Sequence, residues 1–369
     1  VKIKFGIDKK INNWYNKNKE RGKMNKIDNK VLLDLFHAPA QSGFEVLTQE
    51  YIKSFLEENE TSYEEDEMGN IFKIEEGKPL LVAHMDTVQD VDDVALANFI
   101  RIRGQILSGY GVIGGDDKNG IYIILHLLKE GYDINFAFVV EEEIGGHGSY
   151  YLSNTHYKEI EKCLYGIVLD RRGAGDIICY NNNYGTKIFQ DRLQEVGKDF
   201  GYSPGTGTFS DADQLDEIIS CANLSVGYHN PHSKIEFIHL GQLENALNYT
   251  RNIVEKVKSK YAPSYISMGA KTKTKKTKNS FYNSYYFDDY DDGFDSFDDY
   301  LSSFDDKKDM CVFCGNKKQV DINYLASLEQ YVCNDCVLKF YEDTYDLAHS
   351  AFISDEEMGA LVDSFSGKK

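Results

Sequence analysis

The sequence predicts an α/β protein: a three-layer αβα domain built on a mostly parallel, mixed sheet, followed by a small zinc-ribbon-like module. Three observations lead there. Between residues 24 and 262, apolar strand-like runs alternate with helix-like ones, the signature of a parallel sheet covered by helices. Several of those runs stop on acidic or imidazole side chains, and the carboxyl ends of parallel strands are where open α/β sheets place ligands. Near the C-terminus stand two CxxC pairs, a spacing that makes zinc knuckles.

The elements follow in order. Residues 1–23, rich in Lys and Asn with little apolar period, read as a disordered basic leader. NKVLLDLFHAPAQSGFEVLTQEYIKSFLEE reads as a helix, a turn from Pro39 to Gly43 and a second amphipathic helix. PLLVAHMD, INFAFVV and YGIVLD read as buried strands, and GIYIILHLLKEG, DADQLDEII and LENALNYTRNIVEKVKSK as helices. Beyond residue 262 the composition changes. Residues 263–309 read as a disordered linker, Lys-rich at first; from Phe281 to Asp306 it holds nine Asp, ten Phe or Tyr, and no Lys, Arg or Glu. Its interleaved aromatics also suit a segment that docks on a partner. Residues 310–369 are expected to form a four-cysteine module with a C-terminal helix.

Composition bounds the function. The 369 residues carry 41 Lys+Arg against 60 Asp+Glu, a net charge of −19, which argues against a general nucleic-acid binder. With 41% apolar residues the chain can bury a sizeable core. No apolar run approaches the ~18 residues of a membrane span, and VKIKFGIDKK lacks the apolar stretch of a secretory signal. The expectation is a soluble, cytoplasmic protein with no membrane partner. In that setting Cys163, Cys179 and Cys221, each alone in an apolar context, are expected as core thiols.

Five clusters carry the chemistry. LVAHMD runs a strand into His84 and Asp86, which share a face at i and i+2, so the carboxylate can orient the imidazole. Alone, HxD is also what a structural strand-end histidine gives. GGDDKNG places Asp116 and Asp117 at a helix start, where a simple N-cap is the plain alternative. FVVEEEIGGHGS ends a strand on Glu141, Glu142 and Glu143; three adjacent carboxylates repel, and a cation or a proton-transfer task supplies a reason to gather them. YGIVLDRR stops at Asp170, and GYHNPHSKIEF offers His229 and His232 in a loop. Two imidazoles and three carboxylates suit a pair of borderline metals such as zinc sharing one carboxylate.

In this order the motifs resemble those of the co-catalytic di-zinc peptidase superfamily, which includes peptidase T, the aminoacylases and aminopeptidases of the leucine and glutamyl type. The likeness spans about residues 28 to 258, and SGFE at Ser42 to Glu45 with NPHSKIEF resembles the peptidase T branch. The resemblance implies two zinc ions, or cobalt or manganese. It implies His84 and Asp170 on one metal, Asp86 orienting His84, Asp116 bridging, Glu143 and His232 on the other metal, and Glu142 as general base. Glu141 and Asp117 fall outside these roles, and His147 is expected as an exposed loop residue. Two metals about 3.5–4 Å apart can hold and activate a water for attack on an amide carbonyl. The implied function is a peptidase for short peptides, an aminopeptidase above all. The alternatives are a hydrolase of N-acyl amino acids or other small amides, and a non-catalytic adaptor working through the tail. Family members with a lid insert it between the last Asp and the last His. Here only 61 residues separate Asp170 from His232, too few for a lid, which leaves Tyr228, His229 and the loop GTGTFSDAD as replacement candidates for its contacts.

In the tail, Cys311 and Cys314 in CVFCG and Cys333 and Cys336 in YVCNDCV leave 18 residues between the pairs. Four thiolates at this spacing are expected to hold one structural zinc, and so small a module would depend on it to fold. The arrangement resembles the N-terminal zinc-binding domain of the unfoldase ClpX, which implies a protein partner or self-association, with nucleic acid the poorer fit.

Overall fold

A computed structural model describes residues 27–89, 100–109 and 111–263, together with two short strands of the tail. The chain enters helix α1 (Asn29–Phe36), whose first turn is capped by the Asp28 carboxylate accepting from the Lys30 and Val31 N–H groups. Helix α2 (Val46–Glu58) buries Tyr51, Ile52, Phe55 and Leu56, one face at helical spacing. Strands β1 (Glu64–Glu65), β2 (Ile71–Lys73) and β3 (Leu80–His84) follow. After β4 (Arg101–Arg103) and β5 (Ile106–Ser108) come helix α3 (Gly115–Lys129) and strand β6 (Asn135–Val139). Helices α4 (His147–Thr155) and α5 (Tyr157–Ile160) lead to β7 (Gly166–Arg171), β8 (Asp176–Ile178) and helix α6 (Lys187–Gly197). The domain finishes with β9 (Ser203–Pro204), α7 (Ala212–Leu215), β10 (Cys221–Ser225), β11 (Tyr228–His229), β12 (Phe237–His239) and α8 (Leu240–Lys256).

Eight strands form one mixed sheet in the order β1-β2-β6-β3-β7-β10-β8-β9. Its four central strands β6, β3, β7 and β10 are parallel, with antiparallel pairings of β2 on β6 and β8 on β10. Strand alternation divides the apolar side chains between two cores. Leu81, Ala83, Phe136, Phe138, Ile167 and Leu169 join α1, α2, α3, α6 and α8. Leu80, Val82, Ala137, Val139 and Val168 join α4, α5 and α7. Because β3, β6 and β7 run the same way, their carboxyl ends bring His84, the glutamates after Val139 and Asp170 to one edge of the sheet.

A second sheet, β11-β12-β5-β4, is antiparallel and flanks that edge. The 61 residues between Asp170 and His232 are taken up by β8, α6, β9, α7, β10 and β11, elements of the domain itself. DADQLDEII, expected as a helix, makes only the single turn α7. The Asp213 carboxylate accepts the Ser210 N–H and the Tyr184 hydroxyl, and such local bonds compete with helix propagation.

Cys163, Cys179 and Cys221 are buried free thiols, as expected. Among the described residues no helix is long and apolar enough to cross a membrane. The leader at 1–23 and the linker at 263–309 fall, apart from residue 263, outside the described residues. In the tail, β13 (Ile322–Leu325) and β14 (Gln330–Cys333) pair antiparallel. Cys333 is the last residue of β14; Cys311, Cys314 and Cys336 lie outside the described residues.

Candidate metal centre

Asp116 stands at the middle of the site. It belongs to the first turn of α3, but its backbone departs from helical dihedrals, at φ −82° and ψ 98°, which frees the side chain from the helix surface. One carboxylate oxygen, Oδ1, lies 3.0 Å from His84 Nε2, and the other, Oδ2, lies 3.3 Å from His232 Nε2. Around His84 Nε2 also stand Asp170 Oδ1 at 3.7 Å and Glu142 Oε2 at 4.0 Å. His232 Nε2 lies 2.9 Å from Glu143 Oε1. His232 holds a left-handed backbone, φ 59°, at the tip of a loop where Asn230 does the same, a strained arrangement of the sort concentrated at functional sites.

Asp86 ties these groups together. Fully buried, it accepts the Glu142 N–H on Oδ1 at 2.9 Å, and on Oδ2 the Glu143 N–H at 3.0 Å and the Ser42 hydroxyl at 2.8 Å. His84 Nδ1 donates to the main-chain carbonyl of Asp86 at 2.9 Å, with the Asp86 carboxylate 3.3 Å away. Since a carbonyl only accepts, Nδ1 carries the hydrogen and neutral His84 turns an Nε2 lone pair toward the carboxylates.

Those residues fit a cation. Neutral His84 and Asp116 would oppose lone pairs at 3.0 Å, and Glu143 Oε1, though close to His232, is buried without a hydrogen-bond partner, as is Asp117 Oδ2. Two sets of donor atoms converge closely enough to share an ion: His84 with Asp116 and Glu143, and His84 with Asp117 and Asp170. Magnitudes point the same way. Like charges about 4 Å apart repel by about 4 kcal/mol at an effective dielectric near 20. Asp86, Asp116, Asp117, Glu142, Glu143 and Asp170 are six carboxylates; fully ionised, they leave −4 with both imidazoles protonated, and −2 with two divalent cations and neutral imidazoles.

Without metal the charges are balanced by protons. Burial opposes protonation of His84, but Asp116, Asp170 and Asp86 outweigh it and hold the imidazole well above its usual range. Hydrogen bonding to Asp116 and Glu143 pushes His232 up to about 10. Burial, then the charge of Asp116, pushes Asp170 up to about 7. Asp116 itself is raised by burial but held below the usual carboxylate range by His232 and His84. A metal needs neutral imidazoles and ionised carboxylates, so binding at pH 7 should release about two to three protons, from His84, His232 and in part Asp170, and affinity should fall as pH is lowered. Calorimetric zinc titrations in buffers of different ionisation enthalpy measure that release; heats independent of buffer would contradict it.

The other candidates are placed as follows. Glu141 turns from the cluster and pairs with His147 Nδ1 at 2.9 Å; His147, expected as an exposed loop residue, is the partly buried first residue of α4. His229 faces Gln242 at 2.6 Å and stacks on Phe237, and Tyr228 donates its hydroxyl to Asp170 Oδ1 at 3.0 Å, so both side chains are engaged. Sequence reading gave no individual role to Glu236, which lies in NPHSKIEF, and reached Asp211 only as part of the loop GTGTFSDAD. Asp211 is fully buried beside Ser149 with neither carboxylate oxygen hydrogen-bonded, and burial pushes it up to about 6. The signal for Asp211 was the acid-rich SDAD turn after an apolar Phe209, which is common in surface loops.

No family model matches the sequence, and no curated protein matches it. Solved structures match the fold. The aminopeptidase PepT of Bacillus cereus aligns over 61% of this chain and 96% of its own, with TM-score 0.51 and 16% identity. A tripeptidase of Staphylococcus aureus aligns over 62% of this chain and 97% of its own, with TM-score 0.51 and 16% identity. The PhTET1 dodecamer of Pyrococcus horikoshii aligns over 62% and 99%, with TM-score 0.50 and 18% identity. At such identities the likeness is one of fold: an α/β domain with an eight-stranded, mostly parallel mixed sheet like that of zinc peptidases. Into that fold this chain builds a buried histidine–carboxylate cluster able to hold metal.

Proposed function

We propose that this chain is a metal-dependent hydrolase that cleaves peptide bonds, acting as an aminopeptidase or small-peptide peptidase. One observation carries the reading: the Asp116 carboxylate reaches His84 with one oxygen and His232 with the other, the posture of a bridge between two cations. His84 and Asp170 would hold one ion, Glu143 and His232 the second. Two divalent cations bound there supply a water of lowered pKa and polarise a carbonyl.

The remaining work belongs to the side chains. Glu142, whose carboxyl is pushed well up by burial and by Asp170, is suited to take the water's proton and hand it to the departing amine. Asp86 holds the N–H groups of Glu142 and Glu143, which fixes where both carboxylates sit relative to His84. The tail is proposed as a separate zinc-bound module that contacts a protein, and the cytoplasm as its location.

A panel of aminoacyl reporters and short peptides, run beside N-acyl amino acids, tests the substrate class. Cleavage of free-amine substrates at least tenfold faster is expected; preference for the acylated set would move the reading to an acylase. The adaptor alternative is tested by removing residues 263–369. Residues 24–262 should retain hydrolysis, and complete loss with the domain folded would favour the tail as the working part.

A further inference from the structure

Glu236 is buried where the chain pattern says it should not be. In KIEFI the acid sits between Ile235 and Phe237, yet Ile235 is 73% exposed and Glu236 only 3%. An apolar side chain is left in water so that a carboxylate can go inside, an inversion that stability alone does not favour. Inside, it meets the loop that carries Asp116. Glu236 Oε2 accepts the N–H groups of Ile113 and Gly114, each at 2.9 Å, and Oε1 accepts those of Gly115 at 2.7 Å and Asp116 at 3.3 Å. Four consecutive backbone donors are thus gathered on one carboxylate, with the fully buried Lys118 close by.

The close approach is built for. A Cβ on Gly115 would lie 3.0 Å from Glu236 Oε1 and 2.2 Å from Ile238, and Gly114 takes φ 73°. Glu236 also stands four residues after His232, on the same loop. One short segment therefore delivers the imidazole on one side of Asp116 and grips the backbone of Asp116 on the other.

We infer that Glu236 is the positioning residue of the metal bridge: its carboxylate locks the 113–116 backbone so that Asp116 faces His84 and His232 together. The inference rests on the di-metal reading above. It makes placement of the bridging ligand depend on the loop that carries His232, so the bridge and its His232 side are set by one segment, with His84 supplied by β3. A carboxylate is required because it offers acceptors at both oxygens; an amide turns one end into a donor facing N–H groups.

The test uses the full-length, metal-free chain titrated with Co2+, followed by its visible absorption, and with Zn2+ by calorimetry. Thiolate charge-transfer bands report separately on cobalt taken by cysteines. Wild type is expected to fill two carboxylate–imidazole sites. Glu236→Gln should weaken the second equivalent by about 10–100-fold, the range for groups that orient metal ligands, and lower kcat with KM little changed. A cooperative melt of the metal-free variant establishes folding; if that variant does not fold, Glu236→Asp, which keeps the charge but shortens the reach, takes its place. Two equivalents bound by the folded variant with wild-type affinity and spectrum would overturn the inference. Wild type that binds no pair of ions would instead overturn the di-metal reading, and this inference with it.

Discussion

Glu142→Gln should lower peptide hydrolysis by about 10²–10⁴-fold, the span typical of a lost general base, while both metals stay bound. The separation of the two effects follows from geometry. Glu142 Oε2 is 4.0 Å from His84 Nε2, farther than the Asp116 oxygen at 3.0 Å, and its backbone N–H is fixed by Asp86 regardless of the side chain. Glutamine is nearly isosteric but cannot take a proton. Zinc content by elemental analysis and kcat on the best reporter check the prediction together. Activity within a few-fold of wild type would remove Glu142 from its role; loss of metal alongside activity would make it a ligand.

Asp116→Ala should have the broadest effect, abolishing measurable hydrolysis and stripping the centre of tightly bound metal. The Asp116 carboxylate faces His84 with one oxygen and His232 with the other, so its removal takes a donor from each side at once. His84→Ala, by contrast, should impair one side first. The metal-free fold should survive the Asp116 change. In the apo protein its carboxylate crowds Asp170 and Glu143, whose carboxyls it pushes upward, but His232 and His84 hold it below the usual carboxylate range, so at neutral pH its charge is a net support to the fold. A metal-free melting temperature moderately below that of wild type, with the cooperative transition kept, is expected; loss of the cooperative transition would show that Asp116 holds the fold instead of the ions.

Much of this was legible before any coordinates. PLLVAHMD, INFAFVV and YGIVLD are strands buried on both faces, and such strands write themselves as continuous apolar runs. Where each run stops, the charged residue marks the edge at which helical cover ends, and His84, Glu142, Glu143 and Asp170 do meet there. Asp116, at the non-helical start of α3, and His232, on a loop, lie off the strands, so only their motif neighbours pointed to them. β10 was not singled out. CANLS carries Asn223 and Ser225 in five residues, and it is a strand because β7 and β8 pair with it on either side. Asn223 shows why such a residue belongs there: its side-chain amide bonds the main chain of Asp170 at 2.8 and 3.1 Å, bracing the residue that faces His84.

Glu236 was illegible for a different reason. Nothing in the local pattern marks an acid between Ile235 and Phe237 for burial, and only the tertiary meeting of residues 113–116 with the loop after His232 turns it inward. Asp211 was hidden likewise, as one acid among several in a polar loop whose burial depends on α4 and α7 packing together. Sequence thus revealed the groups standing at strand ends, and was silent on those placed by one loop closing against another.

The most direct measurement is a crystal structure of the zinc-soaked full-length chain with anomalous differences recorded at the zinc edge. Two peaks are predicted on either side of the Asp116 carboxylate, one beside His84 and Asp170 and the other beside Glu143 and His232. Strong zinc peaks elsewhere with none at Asp116, or His84 and His232 found on opposite sides of the domain, would contradict the account.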